Sequence, residues 1–333
     1  MKKFAIIAFA ILCIGMTGFA QETKEFKPSG KPTFRIFTNF HSTIMDGETK
    51  NEFELNRAYL GYGYKFSEKW SGDLVFDVGN PEDGGKLEMT AYVKNAYLRY
   101  KSNGWTINFG LIGTTAFKFQ ETAWGYRYVA KAFQDQNKMG SSADLGISAA
   151  YKFSDILSAD LILVNGEGYK NLESDSIFSV GLGLTLKPTD GFSLRAYYET
   201  ATGESNYVDG ATTVDLARHS TLAFAGRYSN DHFSIAAEYA GQTNNRKREG
   251  RDLSGFAAYG TVNVKSSKIF ARYDNMTSND DWNTSADGSR IVLGAEFNPV
   301  KGIKIAPNFQ NFSPKADGVE SVSYVYVNCE IKF

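Results

Sequence analysis

The sequence predicts an all-β fold, a transmembrane antiparallel up-and-down β-barrel of about sixteen strands. Three observations predict it. Short apolar–polar alternations recur from residue 33 to the C-terminus, tight turns alternate with long polar loops, and the chain opens on a secretory signal.

Composition separates this class from its rivals. Aromatic residues make up 14%, with 19 Tyr and 25 Phe, and 32 Gly stand against only 7 Pro. That mixture suits strands joined by glycine-tolerant turns, whereas helical bundles need more Leu and Ala. Mean hydropathy is −0.32, too polar for a helical membrane protein. A barrel needs only every second residue to be apolar.

Lys2 and Lys3, the apolar run Phe4 to Ile14 and Gly18-Phe19-Ala20 have the order of a signal peptide over 1–20. A periplasmic N-terminal segment is then expected over 21–32 and the barrel over 33–333. Loss of the two lysines takes the net charge from −1 to −3, so the basic footprint of a nucleic-acid partner is missing. Cys13 leaves with the signal, and Cys329 then has no intramolecular partner. Past the signal, no stretch reaches the ~18 consecutive apolar residues of a membrane helix.

The alternation is clear in several segments. Val325, Val327, Cys329, Ile331 and Phe333 oppose Tyr324, Tyr326, Asn328, Glu330 and Lys332. Phe178 to Leu186, Phe192 to Tyr198, Phe233 to Tyr239 and Ile291 to Phe297 repeat the pattern. One layer that long has only lipid to cover its apolar face, and closure removes its edges. Apolar residues are therefore expected outward and polar ones inward.

The connections agree. Ser67-Glu68-Lys69, Ser102-Asn103-Gly104, Ser154-Asp155-Ile156 and Pro299-Val300-Lys301-Gly302 are tight, while 80–87, 202–216 and 277–288 are long and polar. Short turns at one rim and long loops at the other are the periplasmic and extracellular ends of an outer-membrane barrel. Two places resist the parity. Lys94 shares the lipid face of Ala96 and Leu98 unless a bulge or snorkelling relieves it. Phe53 and Leu55 fall on the lumen parity of a strand whose lipid face is Ala58, Leu60 and Tyr62.

The segment 114–141 is the third long loop and exceeds what a surface connection needs. A short helix is expected at Tyr128 to Phe133, with Phe117, Phe119, Trp124, Tyr126 and Tyr128 as apolar anchors. Folded into the lumen, the loop would present Lys118, Glu121, Arg127, Lys131 and Asp135 to solute at a constriction. The alternative is an extracellular flap. Arg57, Arg99, Arg195, Arg227, Arg272, Arg290 and Lys304 share the lumen face with Asp73, Asp77, Asp160, Glu199, Glu238, Asp274 and Glu296. Such charges make a transverse field or simply pair across strands, and their even balance predicts no strong ion selectivity.

Enzymatic chemistry finds little support. His41, His219 and His232 read as surface or rim residues, and Ser220 beside His219 points to the opposite face of its strand. Metal-ligand spacing is missing. The acidic loop Asn279-Asp280-Asp281 with Asp287-Gly288 lacks EF-hand spacing and reads as a solvated tip. No cofactor, catalytic residue or metal site is expected.

Asn56-Arg57-Ala58-Tyr59-Leu60-Gly61, Asn95-Ala96-Tyr97-Leu98-Arg99-Tyr100, and Phe109-Gly110 ahead of the long charged loop resemble the phosphate-selective porin O and P family, in its Bacteroidetes-type branch. Asp144-Leu145-Gly146-Ile147 is similar to the family's exit motif, with Ala143 in place of an arginine. The resemblance covers residues 33–153. It implies a sixteen-stranded, trimeric porin whose third loop lines the constriction. The family's phosphate sites use an arginine ladder and a lysine cluster; this loop offers Lys118, Arg127 and Lys131, interspersed with Glu121 and Asp135. The terminal Phe333 looks like the signal read by the barrel-assembly machinery. The expected function is passive diffusion of small hydrophilic solutes or ions across a Gram-negative outer membrane. A channel for phosphate or another nutrient, and a plugged structural or adhesive barrel, are the alternatives.

Overall fold

The structure, a computed structural model, describes residues 26–79, 89–203, 205–209, 212–280 and 282–333. The expected signal peptide and the loop at 80–87 lie outside the described residues.

Sixteen strands close into one antiparallel barrel. They are β1 (Ser29–Met45), β2 (Glu48–Lys65), β3 (Trp70–Gly79), β4 (Thr90–Ser102), β5 (Trp105–Gly113), β6 (Ala143–Lys152), β7 (Leu157–Val164), β8 (Ser179–Thr189) and β9 (Phe192–Ala201). After a hairpin of β10 (Ser205–Asp209) and β11 (Thr212–Leu216), they continue with β12 (Ser220–Ser229), β13 (Phe233–Thr243), β14 (Leu253–Val264), β15 (Ser267–Ser278), β16 (Gly288–Val300), β17 (Ile303–Pro314) and β18 (Val322–Lys332). Successive barrel strands are neighbours, and β1 closes on β18 with Arg35 opposite Lys332. β1 begins at Ser29, ahead of the expected residue 33. The sequence pattern showed only a loop where β10 and β11 pair.

Burial is inverted relative to a water-soluble protein. On β8, Leu182 is 49% exposed, and on β9 Tyr198 is 48% exposed while the adjacent Tyr197 is 1% exposed. Leu222, Phe224, Ile235, Leu293, Val325 and Val327 continue the exposed belt. An apolar surface this continuous needs hydrocarbon as its solvent. Close to the tight turns at 66–69, 103–104 and 153–156, Trp70 packs on Tyr100 at 4.9 Å and Trp105 on Tyr151 at 4.6 Å. These pairs form part of an aromatic girdle at that rim. The long connections leave from the opposite rim.

Both parity conflicts resolve through β-bulges. In the β3–β4 ladder Val75 faces Asn95 but Phe76 faces Val93, so Lys94 is the extra residue. The bulge turns Lys94 into the lumen, where its side chain is only 14% exposed beside Asp77. In the β1–β2 ladder Phe37 faces Arg57 and Thr38 faces Leu55, which leaves Asn56 unpaired. One inserted residue resets every later side chain, so Phe53 emerges on the outer face, 86% exposed, against Phe40.

Glycine on the lumen face lets long side chains lie flat across the wall. Arg195 crosses β8 to reach Asp160 on β7 at 2.6 Å, passing over Gly183. A Cβ on Gly183 would sit 2.3 Å from the guanidinium. Gly183→Val should therefore displace the Arg195–Asp160 pair and cost about 1–3 kcal/mol. The measurement is the temperature at which the detergent-folded barrel loses its compact electrophoretic mobility; an unchanged transition would contradict this packing.

Candidate functional site

The connection 114–142, here loop 3, folds into the barrel instead of over its mouth. Its buried face comprises Ala116, Phe117, Trp124, Tyr126, Tyr128, Val129, Ala132, Phe133 and Met139. The wall opposite contributes the large Tyr259, Phe270 and Val292, the small Ala223, Ala240, Ala257 and Ala306, and Gly255 beneath the fully buried Phe133. A Cβ on Gly255 would lie 2.7 Å from that ring. Large loop side chains thus fill the room that small wall residues leave.

Polar staples fix the register of this docking. Tyr128 donates its hydroxyl to Glu296 at 2.9 Å, and Tyr259 donates to the Gln120 carbonyl at 3.2 Å. Asn328 donates to the Tyr128 carbonyl, Gln310 to that of Val129, and Arg272 to that of Lys131 at 2.6 Å. Those contacts explain the one local misreading. The expected helix at Tyr128 to Phe133 is absent. Instead α1 (Lys118–Trp124) stops at Gly125, φ 74°, and α2 (Phe133–Gln136) begins after an extended Ala132. In a helix the carbonyls of Tyr128, Val129 and Lys131 would accept from N–H groups four residues on. Here the wall side chains take them.

The loop docks on β9 and β12 to β18 and touches β1 through Phe37. Its charged edge is left over. Arg127 lies 3.4 Å from Glu121 and 3.0 Å from Asp135, and Lys118 lies 2.8 Å from Glu121. Burial pushes the Glu121 carboxyl up, but the Lys118 and Arg127 charges outweigh it and hold it below the usual carboxylate range. Burial pushes the Lys131 ammonium down; Asp135 opposes this, while Arg127, Arg57 and Lys170 add to it. Arg57 belongs to β2 and Lys170 to the connection 165–178, so the loop edge and the far wall share one electrostatic field.

That far wall is basic and aromatic. Arg57 lies 3.3 Å from Asp77, and Asp77 also accepts from the Tyr169 hydroxyl at 2.6 Å. Lys94 sits over the Tyr59 ring at 4.8 Å and the Tyr169 ring at 5.3 Å, and Lys170 over Tyr92 at 4.6 Å. Such contacts hold ammonium groups in place without neutralising them. Among the described residues that meet there, Lys118, Arg127, Lys131, Arg57, Lys94 and Lys170 outnumber the carboxylates Glu121, Asp135 and Asp77. Sequence pattern missed Tyr92, Tyr169 and Lys170 and misdirected Lys94. An unrecognised bulge hid the lysine; nothing in the sequence signals the inward turn of 165–171.

The other lumen charges all face inward, and many are consumed by neighbours. Arg272 binds Asp274 through two contacts of 2.7 and 2.6 Å, and Lys304 bridges Glu296 and Glu330 at 3.3 and 3.5 Å. Arg99 donates to Tyr97 and Asn108, and Glu199 accepts from Tyr197 at 2.6 Å. Asp73 stands opposite Tyr97. Arg227 and Glu238 are inward neighbours of Ala225 and Ala236 on β12 and β13, with Glu238 only 4% exposed.

His41 and His219 are corrections, since both are buried. His41 sits between Asn39 at 2.7 Å and Glu52 at 3.0 Å, and His219 lies 3.6 Å from Glu199. Asp144, from the exit-like motif, accepts from the N–H groups of Leu145, Gly166 and Gly168, which anchors the connection 165–178. Glu167, Glu173 and Asp175 cluster in that connection, but Lys247 reaches into the group, 3.0 Å from Glu167, and takes the place of a cation. Asp287 organises its loop by accepting from the Ser278 N–H and hydroxyl at 2.8 and 2.6 Å; Asp281 lies outside the described residues.

No protein-family model and no curated protein matches the chain. Solved structures do. The outer membrane channel DcaP of Acinetobacter baumannii superposes with a TM-score of 0.68 at 14% identity, over 95% of this chain and 100% of that one. An anion-selective porin from Comamonas acidovorans gives 0.64 at 13% identity, over 92% and 100%. A trimer form of the outer membrane protein OmpT of Vibrio cholerae gives 0.61 at 15% identity, over 92% and 100%. The barrel thus has the fold of outer-membrane porins and channels.

Removing the Phe133 ring should loosen loop 3. Phe133→Ala is expected to cost about 3–5 kcal/mol of docking and packing and to open the backbone near Arg127 and Lys131 to trypsin. Limited proteolysis of the folded barrel reads this, and equal resistance in variant and parent would refute the docking.

Proposed function

We propose that the chain is an outer-membrane porin, a water-filled channel through which small hydrophilic solutes and ions diffuse passively. One observation carries the reading. Loop 3 is pinned inside the barrel by its apolar face, while Lys118 stays exposed and Glu121, Arg127, Lys131 and Asp135 stay half-buried along its other edge. A plug would bury that edge as it does the first. The gap between this edge and β2 to β4 is the constriction, and its basic excess favours anions. The even balance counted over the whole lumen averages two unlike halves, one packed against loop 3, the other facing the gap.

Supporting partners follow from the same reading. Lipid covers the outer belt, and the signal peptide at 1–20 and the segment at 21–32 accompany export. The barrel-assembly machinery reads the C-terminal strand ending at Phe333, which docks its N–H on the Phe34 carbonyl at 3.2 Å. A homotrimer is the assembly proposed, in keeping with the trimer form described for the Vibrio OmpT structure. The reading assigns no catalysis and no cofactor.

In planar bilayers the purified chain should give stable conductance steps with chloride permeating better than potassium. Lys131→Glu/Lys170→Glu should reverse that preference, measured as the sign of the reversal potential across a salt gradient. A silent bilayer would sink the pore, and an unchanged sign would sink the constriction. Saturable block of chloride current by phosphate would mark a dedicated phosphate channel; a simple shared current would mark general diffusion.

A further inference from the structure

Above loop 3, on the side away from the constriction, lies a cavity of about 200 Å³. It is lined by Gln136 and Asn137 at the end of α2, Asp274 of β15, Ser285, Arg290 of β16 and Phe312 of β17. None of these groups belongs to the loop edge facing β2. Its volume is that of roughly seven liquid waters, which suits one small ring-shaped solute and not a chain.

The lining is mixed in a specific way. The Arg290 guanidinium lies 5.0 Å over the Phe312 ring and makes no ion pair among the described residues. Across the ladder from it, Asp274 is held by Arg272 in a two-point contact. Gln136 and Asn137 add amides that both donate and accept, and Ser285 adds a hydroxyl. An anion entering here would gain Arg290 but face the Asp274 carboxylate on the same wall. A hydroxyl group faces no such conflict, since it donates to Asp274 and accepts from Arg290 at once.

The apolar component points the same way. The Phe312 ring offers a flat face beside these polar groups, and the wall beyond it is aromatic. Tyr324 and Tyr326 stack at 5.6 Å with planes 24° apart, and His41 packs on Tyr326 at 4.8 Å. Both tyrosines sit on the inward parity of β18, opposite Gln310 and Asn308. A solute with one face of C–H groups and a rim of hydroxyls satisfies the Phe312 side and the polar groups around it. We propose that this cavity is a binding subsite for a single neutral hexopyranose unit, a capture point that a sugar meets before the constriction. The proposal rests on the pore reading for its purpose but not for its chemistry.

The test is calorimetric titration of the detergent-folded full chain with D-glucose, D-galactose and N-acetylglucosamine, and separately with inorganic phosphate. Saturable binding of at least one sugar is expected, weakened ~tenfold or more in Arg290→Ala and in Phe312→Leu, because a site built to hydrogen-bond hydroxyls loses affinity steeply when a partner is removed. Variants are compared only after their compact electrophoretic mobility confirms a folded barrel. No saturable binding of any of the three sugars overturns the proposal, as does equal binding in both variants. Phosphate binding lost in Arg290→Ala, with no sugar bound, makes the cavity an anion site and overturns it too. A silent bilayer with intact sugar binding would remove the pore and leave the subsite; an open bilayer with no sugar binding would do the reverse.

Discussion

The packing of the loop 3 aromatic face against the inner wall governs the organisation of this barrel. A closed sheet with a largely polar interior has little core of its own, because most of its apolar side chains face outward. Phe117, Trp124, Tyr126 and Phe133 supply most of one from within, Phe133 over Gly255 and the Trp124 and Tyr126 rings against Phe270. The hydrogen bonds from Asn328, Gln310 and Arg272 to loop carbonyls then fix depth and rotation. Apolar contact supplies attraction without direction; the polar staples supply the direction.

This docking divides the lumen unequally. On the packed side, several charges are paired or bonded to the loop, as Arg272 and Glu296 show. A buried pair of this kind contributes fit and specificity more than net stability. On the other side the loop edge faces Arg57, Lys94 and Lys170 across a gap. There cations are steadied by tyrosine rings, which leaves their charge in force. One loop thereby divides an evenly charged wall into unlike halves.

Local exceptions serve the same end. The bulge at Lys94 would be a defect in a uniform ladder, yet it moves an ammonium from the lipid face to the lumen. The bulge at Asn56 keeps Phe53 out of the lumen and lets Arg57 and Tyr59 into it. A single added residue does this cheaply because strand parity has period two. Gly183 acts by subtraction, giving Arg195 a path across the sheet.

Period-two alternation, the turn–loop rhythm and the C-terminal strand made the barrel legible without coordinates, and the alternating segments at 192–198, 233–239 and 291–297 lie within β9, β13 and β16. Alternation is a local property, so the sequence carries it explicitly. The length and aromatic content of the third loop marked it as unusual, and its lumen-facing charges were identifiable one by one. What folding alone decided is which of those charges meet. The helix within loop 3 moved because distant side chains claimed its carbonyls, and Tyr169 and Lys170 entered the lumen through a loop with no periodic signal. Contacts between residues far apart in the chain depend on where the closed wall brings them, and the amino-acid order by itself records the parity of a residue but not its partner across the lumen.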